Sequence, residues 1–225
     1  MIEFRCAGTG SSGNAFSIID DGKIILLDAG LKINEIKKLI DWKVGDVVAC
    51  FVSHEHLDHS KSAIKLSNMG IQMFEPYKCG NQTFKSQGFY AKAFPVDHNG
   101  TENRGIYMVT PSGEKIVYAI DFEFIRFNFK KLGINHFILE CNHLDEIDRG
   151  ENESNFAHVL RGHCALSTLK EFLRVNQTDE LRTVILTHLS DTNGDPVVMK
   201  DEIQKVVGDK VKVYVAKRGL EVILD

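Results

Sequence analysis

The sequence predicts one mixed α/β domain, and three observations carry the prediction. Short apolar runs bounded by Gly, Asp, Asn or Pro recur along the 225-residue chain, as strands require. Between them lie stretches with apolar residues at helical spacing, such as Ile33, Ile36, Leu39 and Ile40. His and Asp residues gather just past the ends of the apolar runs, where loops on a rigid frame commonly carry function. Only four prolines occur, and no Gly/Ser-rich run or charge block divides the pattern, so residues 1–225 read as a single domain.

Residues 2–7 alternate loosely as a first strand and run into the polar turn Gly8-Thr9-Gly10-Ser11-Ser12-Gly13-Asn14. Residues 16–19 and 24–27 read as two strands joined by Asp21-Gly22, a strong hairpin signal. The glycine-rich turn lacks the Lys-Ser/Thr of a P-loop and no helix follows it, which excludes a phosphate cradle of that kind. Asp28-Ala29-Gly30 ends the second strand; Asp28 either caps a turn or reaches toward the histidines beyond the next strand. Residues 32–40 predict a surface helix with one buried stripe, residues 47–52 a strand, and residues 60–68 a helix. Residues 69–74 and 89–94 read as short strands, the second followed by Pro95-Val96-Asp97-His98. Residues 106–109 and 115–120 form a second hairpin, turned by Pro111-Ser112-Gly113 and ending at Asp121. Residues 137–140 are a buried strand that delivers Cys141-Asn142-His143, and residues 144–156 form a polar, acidic rim. A helix over 167–175, a buried strand over 183–187 ending in His188, a helix over 195–207, and strands over 211–215 and 220–224 complete the chain.

The strand over 47–52 leads straight into Ser53-His54-Glu55-His56-Leu57-Asp58-His59, which packs three imidazoles and a carboxylate between His54 and His59. A lone histidine is ordinarily structural, but packing does not explain four ligand-type residues in this arrangement. On an extended segment alternate residues share a side, so His54 and His56 can offer two imidazoles to one cation. As the chain turns, Asp58 and His59 can face a second. Imidazole and carboxylate suit zinc, manganese or ferrous iron. Two metals on four side chains would be under-coordinated, so further ligands are expected downstream.

His-x-His-x-Asp-His after an apolar strand resembles the signature of the metallo-β-lactamase fold superfamily. Together with Gly-Ser-Ser-Gly-Asn near the start and Leu-Asp-Ala-Gly after it, the pattern resembles the YycJ/WalJ-like branch. That branch is related more distantly to PhnP-type phosphodiesterases and ribonuclease Z-like enzymes. The resemblance covers nearly the whole chain and implies a four-layer αβ/βα sandwich with the site along one edge of two sheets. It implies one divalent metal held by His54, His56 and His98, a second by Asp58, His59 and His188, and Asp121 shared between them. Asp121-Phe122-Glu123 departs from the family's Asp-Thr-Gly, so the loop beyond the shared acid must differ in shape. By the same resemblance Asp58 also orients the nucleophile, while His163 or His143 assists the leaving group. His163 serves equally well as a cap for the following helix, and His136 and His158 have no counterpart beyond structural or surface roles.

The activity implied is that of a zinc-, manganese- or iron-dependent phosphodiesterase or nuclease, with DNA favoured over RNA or a small cyclic phosphodiester. The same ligands also serve hydrolysis of a thioester, lactone or other carboxylic ester or amide, or persist in a silent nucleotide-sensing module. A formal net charge of −4 gives no electrostatic sign of a polyanion partner, and pairs such as Lys37-Lys38 and Lys130-Lys131 read as solvated faces. A bound metal pair would supply the local positive field a phosphate needs. Five cysteines (Cys6, Cys50, Cys79, Cys141, Cys164), odd in number and without CxxC pairing, argue against a disulfide framework. The start of the chain reads as a strand rather than a signal peptide, and no apolar run approaches a membrane span. The expectation is a reduced, cytoplasmic compartment, which counts against a secreted antibiotic-degrading enzyme.

Overall fold

The computed structural model describes residues 1–78, 82–146 and 161–224. Cys79, His158 and the rim beyond residue 146 lie outside the described residues. Two mixed sheets stack face to face. In the first, β1 (Ile2–Gly8), β2 (Ala15–Asp20), β3 (Lys23–Leu27), β4 (Val47–Phe51) and β5 (Met73–Phe74) lie in sequence order, and β13 (Glu221–Leu224) flanks β1. The second runs β6 (Thr83–Ser86), β7 (Phe89–His98), β8 (Thr101–Val109), β9 (Lys115–Ala119), β10 (His136–Glu140), β11 (Thr183–Thr187) and β12 (Lys212–Val215). The hairpin strands pair antiparallel, whereas β3-β4-β5 and β9-β10-β11-β12 are parallel.

Strand periodicity accounts for the layers. Along β3, Ile25 and Leu27 join the core between the sheets, with Phe4, Phe16, Tyr118, Ile138 and Ile185. Ile24 and Leu26 point the other way, toward Ile36 and Leu39 of α1 (Ile33–Leu39) and Leu66 of α3 (Ala63–Asn68). On the far face of the second sheet, Phe137, Leu139, Val184 and Leu186 pack on α4 (Leu166–Asn176) and α5 (Pro196–Val207). Helix, sheet, sheet, helix is the αβ/βα sandwich the resemblance implied. Because β10 and β11 are covered on both faces, every residue in them is buried, which is why they read as unbroken apolar runs. The Asp21-Gly22 hairpin forms as expected, with φ of 50° and 70° at its two central residues. Asp195 caps α5 by accepting from the backbone N–H of Val197 and Val198, and Pro196 occupies the first turn.

Three local expectations are corrected. The helix expected over 60–68 is two pieces, α2 (Leu57–Ser60) and α3, so Asp58 and His59 stand on a helical turn rather than a loop. The break occurs because the Ser62 N–H is diverted to the Ala29 carbonyl at 2.9 Å and its hydroxyl donates to the Leu31 carbonyl. The strand expected over 69–74 shrinks to two residues, since the N–H groups of Met69, Gly70 and Ile71 close the end of α3. The edge strand β6 was not expected; of its four residues only Phe84 is buried, too weak a pattern to read. Among the described residues, Cys6, Cys50, Cys141 and Cys164 are buried free thiols, and no helix is long and apolar enough to cross a membrane.

Candidate metal centre

The carboxyl ends of the parallel strands converge along one edge of the sandwich, where open α/β sheets place their ligands. Asp28 follows β3, Asp121 lies just past β9, and His188 follows β11. All three adopt the left-handed region, with φ of 60°, 52° and 53°. Non-glycine residues avoid that region, so neighbours must hold each kink. Ser53 N–H donates to Asp28 Oδ1 at 2.8 Å, and the Asn103 side chain donates to the carbonyls of Ile120 and Asp121. The His188 N–H donates to Thr9 Oγ1 at 2.8 Å, and the Asn142 side chain donates to the His188 carbonyl at 2.8 Å.

These kinks turn the side chains into two adjoining groups. His54, His56, His98 and Asp121 form one, and Asp58, His59, Asp121 and His188 the other; in each, one ligand atom per residue lies within 4.8 Å of the rest. All seven side chains expected as ligands are thus brought together, with Asp121 common to both groups. Its Oδ2 lies 3.2 Å from His59 Nε2, 3.6 Å from His54 Nε2 and 3.8 Å from His98 Nε2. His54 Nε2 faces His56 Nδ1 at 2.9 Å, and His59 Nε2 lies 3.4 Å from Asp58 Oδ2.

In four of the five imidazoles the opposite ring nitrogen is occupied, which orients the ring. His98 Nδ1 donates to the Gly162 carbonyl at 2.7 Å, His59 Nδ1 to Asp28 Oδ2 at 2.9 Å, and His188 Nδ1 to Glu140 Oε1 at 2.9 Å. His54 Nδ1 pairs with Ser53 Oγ at 3.0 Å. Asp28, left open between two roles by the sequence, therefore reaches the histidines, and it also accepts from the Tyr118 hydroxyl at 2.6 Å. Asn14, buried in the β1–β2 turn, places its side-chain nitrogen 3.0 Å from His59 Nε2, and its backbone N–H donates to the Asp58 carbonyl.

Burial and charge act against each other here. Burial, reinforced by the charge of His59, pushes the His54 imidazole down to about 2, keeping it neutral and able to donate a lone pair. For His59 burial lowers the pKa, but the carboxylates of Asp121 and Asp28 outweigh it and the net shift is upward. Asp121 is held well below the usual carboxylate range by His188 and His59, against its burial. The acids thus draw protons onto His59 and His188, whereas His54 and His98 stay neutral, and a metal would displace those protons. Asp121 Oδ1 and His188 Nε2 are buried with no hydrogen-bond partner, an expensive arrangement in a protein interior. Converging imidazole nitrogens, a shared carboxylate and these two orphaned atoms fit a pair of divalent cations.

Beside the second group stands Glu140, the acid of a Glu-x-Asn-His stretch that the family resemblance set near the site rather than among the ligands. Glu140 has no solvent exposure and accepts from His188 Nδ1, from His163 Nδ1 at 2.7 Å, and from the backbone N–H of Phe122 and Cys164. A charge ending the otherwise apolar run Phe137-Ile138-Leu139-Glu140 was the signal available for it. His163 stacks on His188 with ring centroids 5.2 Å apart, and it joins Asp121, Glu140 and His188 in a third convergent group. Burial disfavours its charged form, but Glu140 and Asp121 prevail and push it up to about 9. His143 is placed differently: it is buried, its Nδ1 donates to the Leu144 carbonyl, and it belongs to none of the three groups. His136 pairs with Glu114 at the start of β10, away from these groups, as its structural reading required.

His56, Asp58 and His163 are half-buried while the other ligands are covered, so the centre opens on their side. A polar cleft of about 370 Å³ adjoins the centre at His163 and His188, and is lined also by the turn over 9–12, Asn142 and the loop over 189–193. Comparisons with known proteins bear on what such a centre does. A family model described as "Metallo-beta-lactamase superfamily" matches residues 8–68, which include the histidine cluster. The chain is 25% identical over 244 residues to an exodeoxyribonuclease, YycJ, of Bacillus anthracis, covering 93% of this chain and 90% of that protein. Among solved structures it resembles the metallo-β-lactamase fold protein YhfI of Bacillus subtilis, with TM-score 0.73, 16% identity and 98% of each chain covered. It also resembles unliganded PDE1 of yeast, with TM-score 0.66, 12% identity and 98% of each chain covered.

Proposed function

We propose, from the premise that this chain has the metallo-β-lactamase fold, that it is a two-metal phosphodiesterase acting on nucleic acid, with DNA the favoured substrate. The ligands are His54, His56 and His98 for one cation, Asp58, His59 and His188 for the other, and Asp121 for both. Zinc suits this donor set best, with manganese or iron as substitutes. When bound, such a pair clamps a phosphate and supplies an activated water for in-line attack. Asp58, half-buried at the mouth, would accept a hydrogen bond from such a water and orient it.

The observation that favours a phosphodiester over a thioester is the Glu140–His163 pair. A nucleotide's alkoxide leaving group is strongly basic and needs a proton, whereas a thiolate leaves with little help. His163 is held by a buried carboxylate, carries a proton at neutral pH, and stands beside the centre at its open side. Nearby cations would draw its pKa back toward neutrality, the range in which a general acid is most effective. His143, turned to the Leu144 carbonyl, is not assigned this task. The 25%-identical exodeoxyribonuclease supports the same substrate class.

Asp121→Ala removes the shared ligand. It is expected to reduce turnover of bis(p-nitrophenyl) phosphate by at least about 10²-fold and to lower bound metal below two equivalents by elemental analysis. Parallel assays with a thioester and a chromogenic β-lactam test the reading against its rivals. Turnover of either of these in preference to the diester and to end-labelled DNA would overturn it.

A further inference from the structure

A second cleft continues from the first. It shares Thr9, Leu189, Ser190 and Asp191 with the cleft over the metal centre and extends past the N-terminal end of α5 and the carboxyl end of β12, with a volume of about 740 Å³. Its lining includes three cationic side chains, Lys200, Lys217 and Arg218, all exposed, together with the half-buried ring of Tyr214. Arg218 is engaged by Glu35 at 2.6 Å, but among the described residues neither Lys200 nor Lys217 makes an ion pair. Both lysines line one path that leads into the centre.

We infer that this second cleft is the track for a single strand of nucleic acid, holding the nucleotides that continue beyond the scissile phosphate. The inference rests on the phosphodiesterase reading and adds the form of its substrate. Lys200 and Lys217 take successive backbone phosphates, releasing the counterions those phosphates had condensed. Tyr214, packed in part against the core, lines the cleft where its exposed part can meet an unpaired base, which a duplex would not present. Asp191, at the junction of the two clefts, repels phosphate and instead accepts from a base amino group or a sugar hydroxyl, so the phosphates are taken up on either side of it. A small cyclic diester would fill only the first cleft and leave the lysines without a role.

The test compares Lys200→Ala/Lys217→Ala with the parent and with Lys131→Ala/Lys210→Ala, a matched pair of exposed lysines at the opposite end of the parallel strands. Binding of metal-loaded protein to fluorescent phosphorothioate single-stranded DNA, and to RNA of the same sequence, is followed by anisotropy over a range of salt. For the cleft pair, the slope of log K against log salt should flatten by about 1.4, at about 0.7 for each phosphate no longer neutralised, and low-salt affinity should fall about tenfold or more. The remote pair should match the parent. Unchanged affinity and slope in the cleft pair, or equal reductions in both pairs, would overturn the inference. Tighter binding of DNA than RNA, or the reverse, identifies the sugar the track prefers. Failure of the phosphodiesterase reading shows separately, as absence of bis(p-nitrophenyl) phosphate turnover in the parent, and the binding comparison still decides the track.

Discussion

Glu140 carries its charge at the floor of the centre because every approach to it is a donor: two imidazole N–H groups and two backbone N–H groups. Desolvation raises a buried carboxyl, yet here the nearby His163 and His188 outweigh it and keep Glu140 ionised. One carboxylate therefore sets the orientation of a metal ligand and of the proton donor together. Glu140→Gln keeps the shape but removes the charge: Oε1 accepts from both imidazoles and Oε2 from both backbone N–H groups, so whichever way the amide is turned its NH2 faces donors. The expected outcome is a fall in kcat of about 10²–10⁴-fold on DNA and weaker metal retention by about 10–100-fold. Steady-state kinetics at saturating metal separates the two effects. His163→Ala should reproduce the fall in kcat while leaving metal retention intact.

Between β3 and α1 the chain must pass within van der Waals contact of the metal loop, and Gly30 makes this possible. A Cβ at Gly30 would stand 1.6 Å from the carbonyl oxygen of Asp58 and 2.8 Å from the backbone nitrogen of Asn14. Both obstacles are backbone, and both belong to the bonds that tie the two loops: Asn14 N–H to the Asp58 carbonyl at 2.7 Å, and Gly30 N–H to the Asn14 carbonyl at 2.9 Å. Gly30→Ala is expected to cost about 3 kcal/mol or more in stability by displacing α2, read from urea unfolding. Because α2 carries Asp58 and His59, metal content should fall even in the fraction that folds. Gly45, with nothing near its Cβ position, is the control, and its alanine variant should leave both readings unchanged.

At the scale of the molecule, the ligands come from both sheets: His54, His56, Asp58 and His59 follow β4, while His98, Asp121 and His188 belong to the second sheet. Cations at their junction bind the folded chain and not the unfolded one, so they stabilise the whole sandwich. At free metal about a hundredfold above Kd each bound cation contributes about 2.7 kcal/mol, or about 5–10 °C in Tm for a chain of this size. Removing metal with EDTA should lower Tm by that order, and added zinc or manganese should restore it. An EDTA-treated protein with unchanged Tm would count against the metal pair.

Much of this was legible in the order of residues, because strand and helix periodicities and the His-x-His-x-Asp-His spacing are local properties. The hairpin at Asp21-Gly22, the buried strands β10 and β11, and the cluster His54, His56, Asp58 and His59 can be written down without coordinates, while His98, Asp121 and His188 were expected only through the family resemblance. Two things were less legible. Hydrogen-bond competition at Ser62 and Gly70 reshaped elements whose apolar pattern alone looked continuous. The roles of Glu140, Asp28, Asn14 and Gly30 depend on partners far away in sequence, such as Asn14 and Asp58, which are 44 positions apart. By itself the chain determined which atoms can bind metal, since ligand chemistry belongs to side chains one at a time. Only the tertiary structure decided which atoms hold those ligands in place and where the clefts run, because neighbours drawn from distant segments meet only once the sheets have stacked.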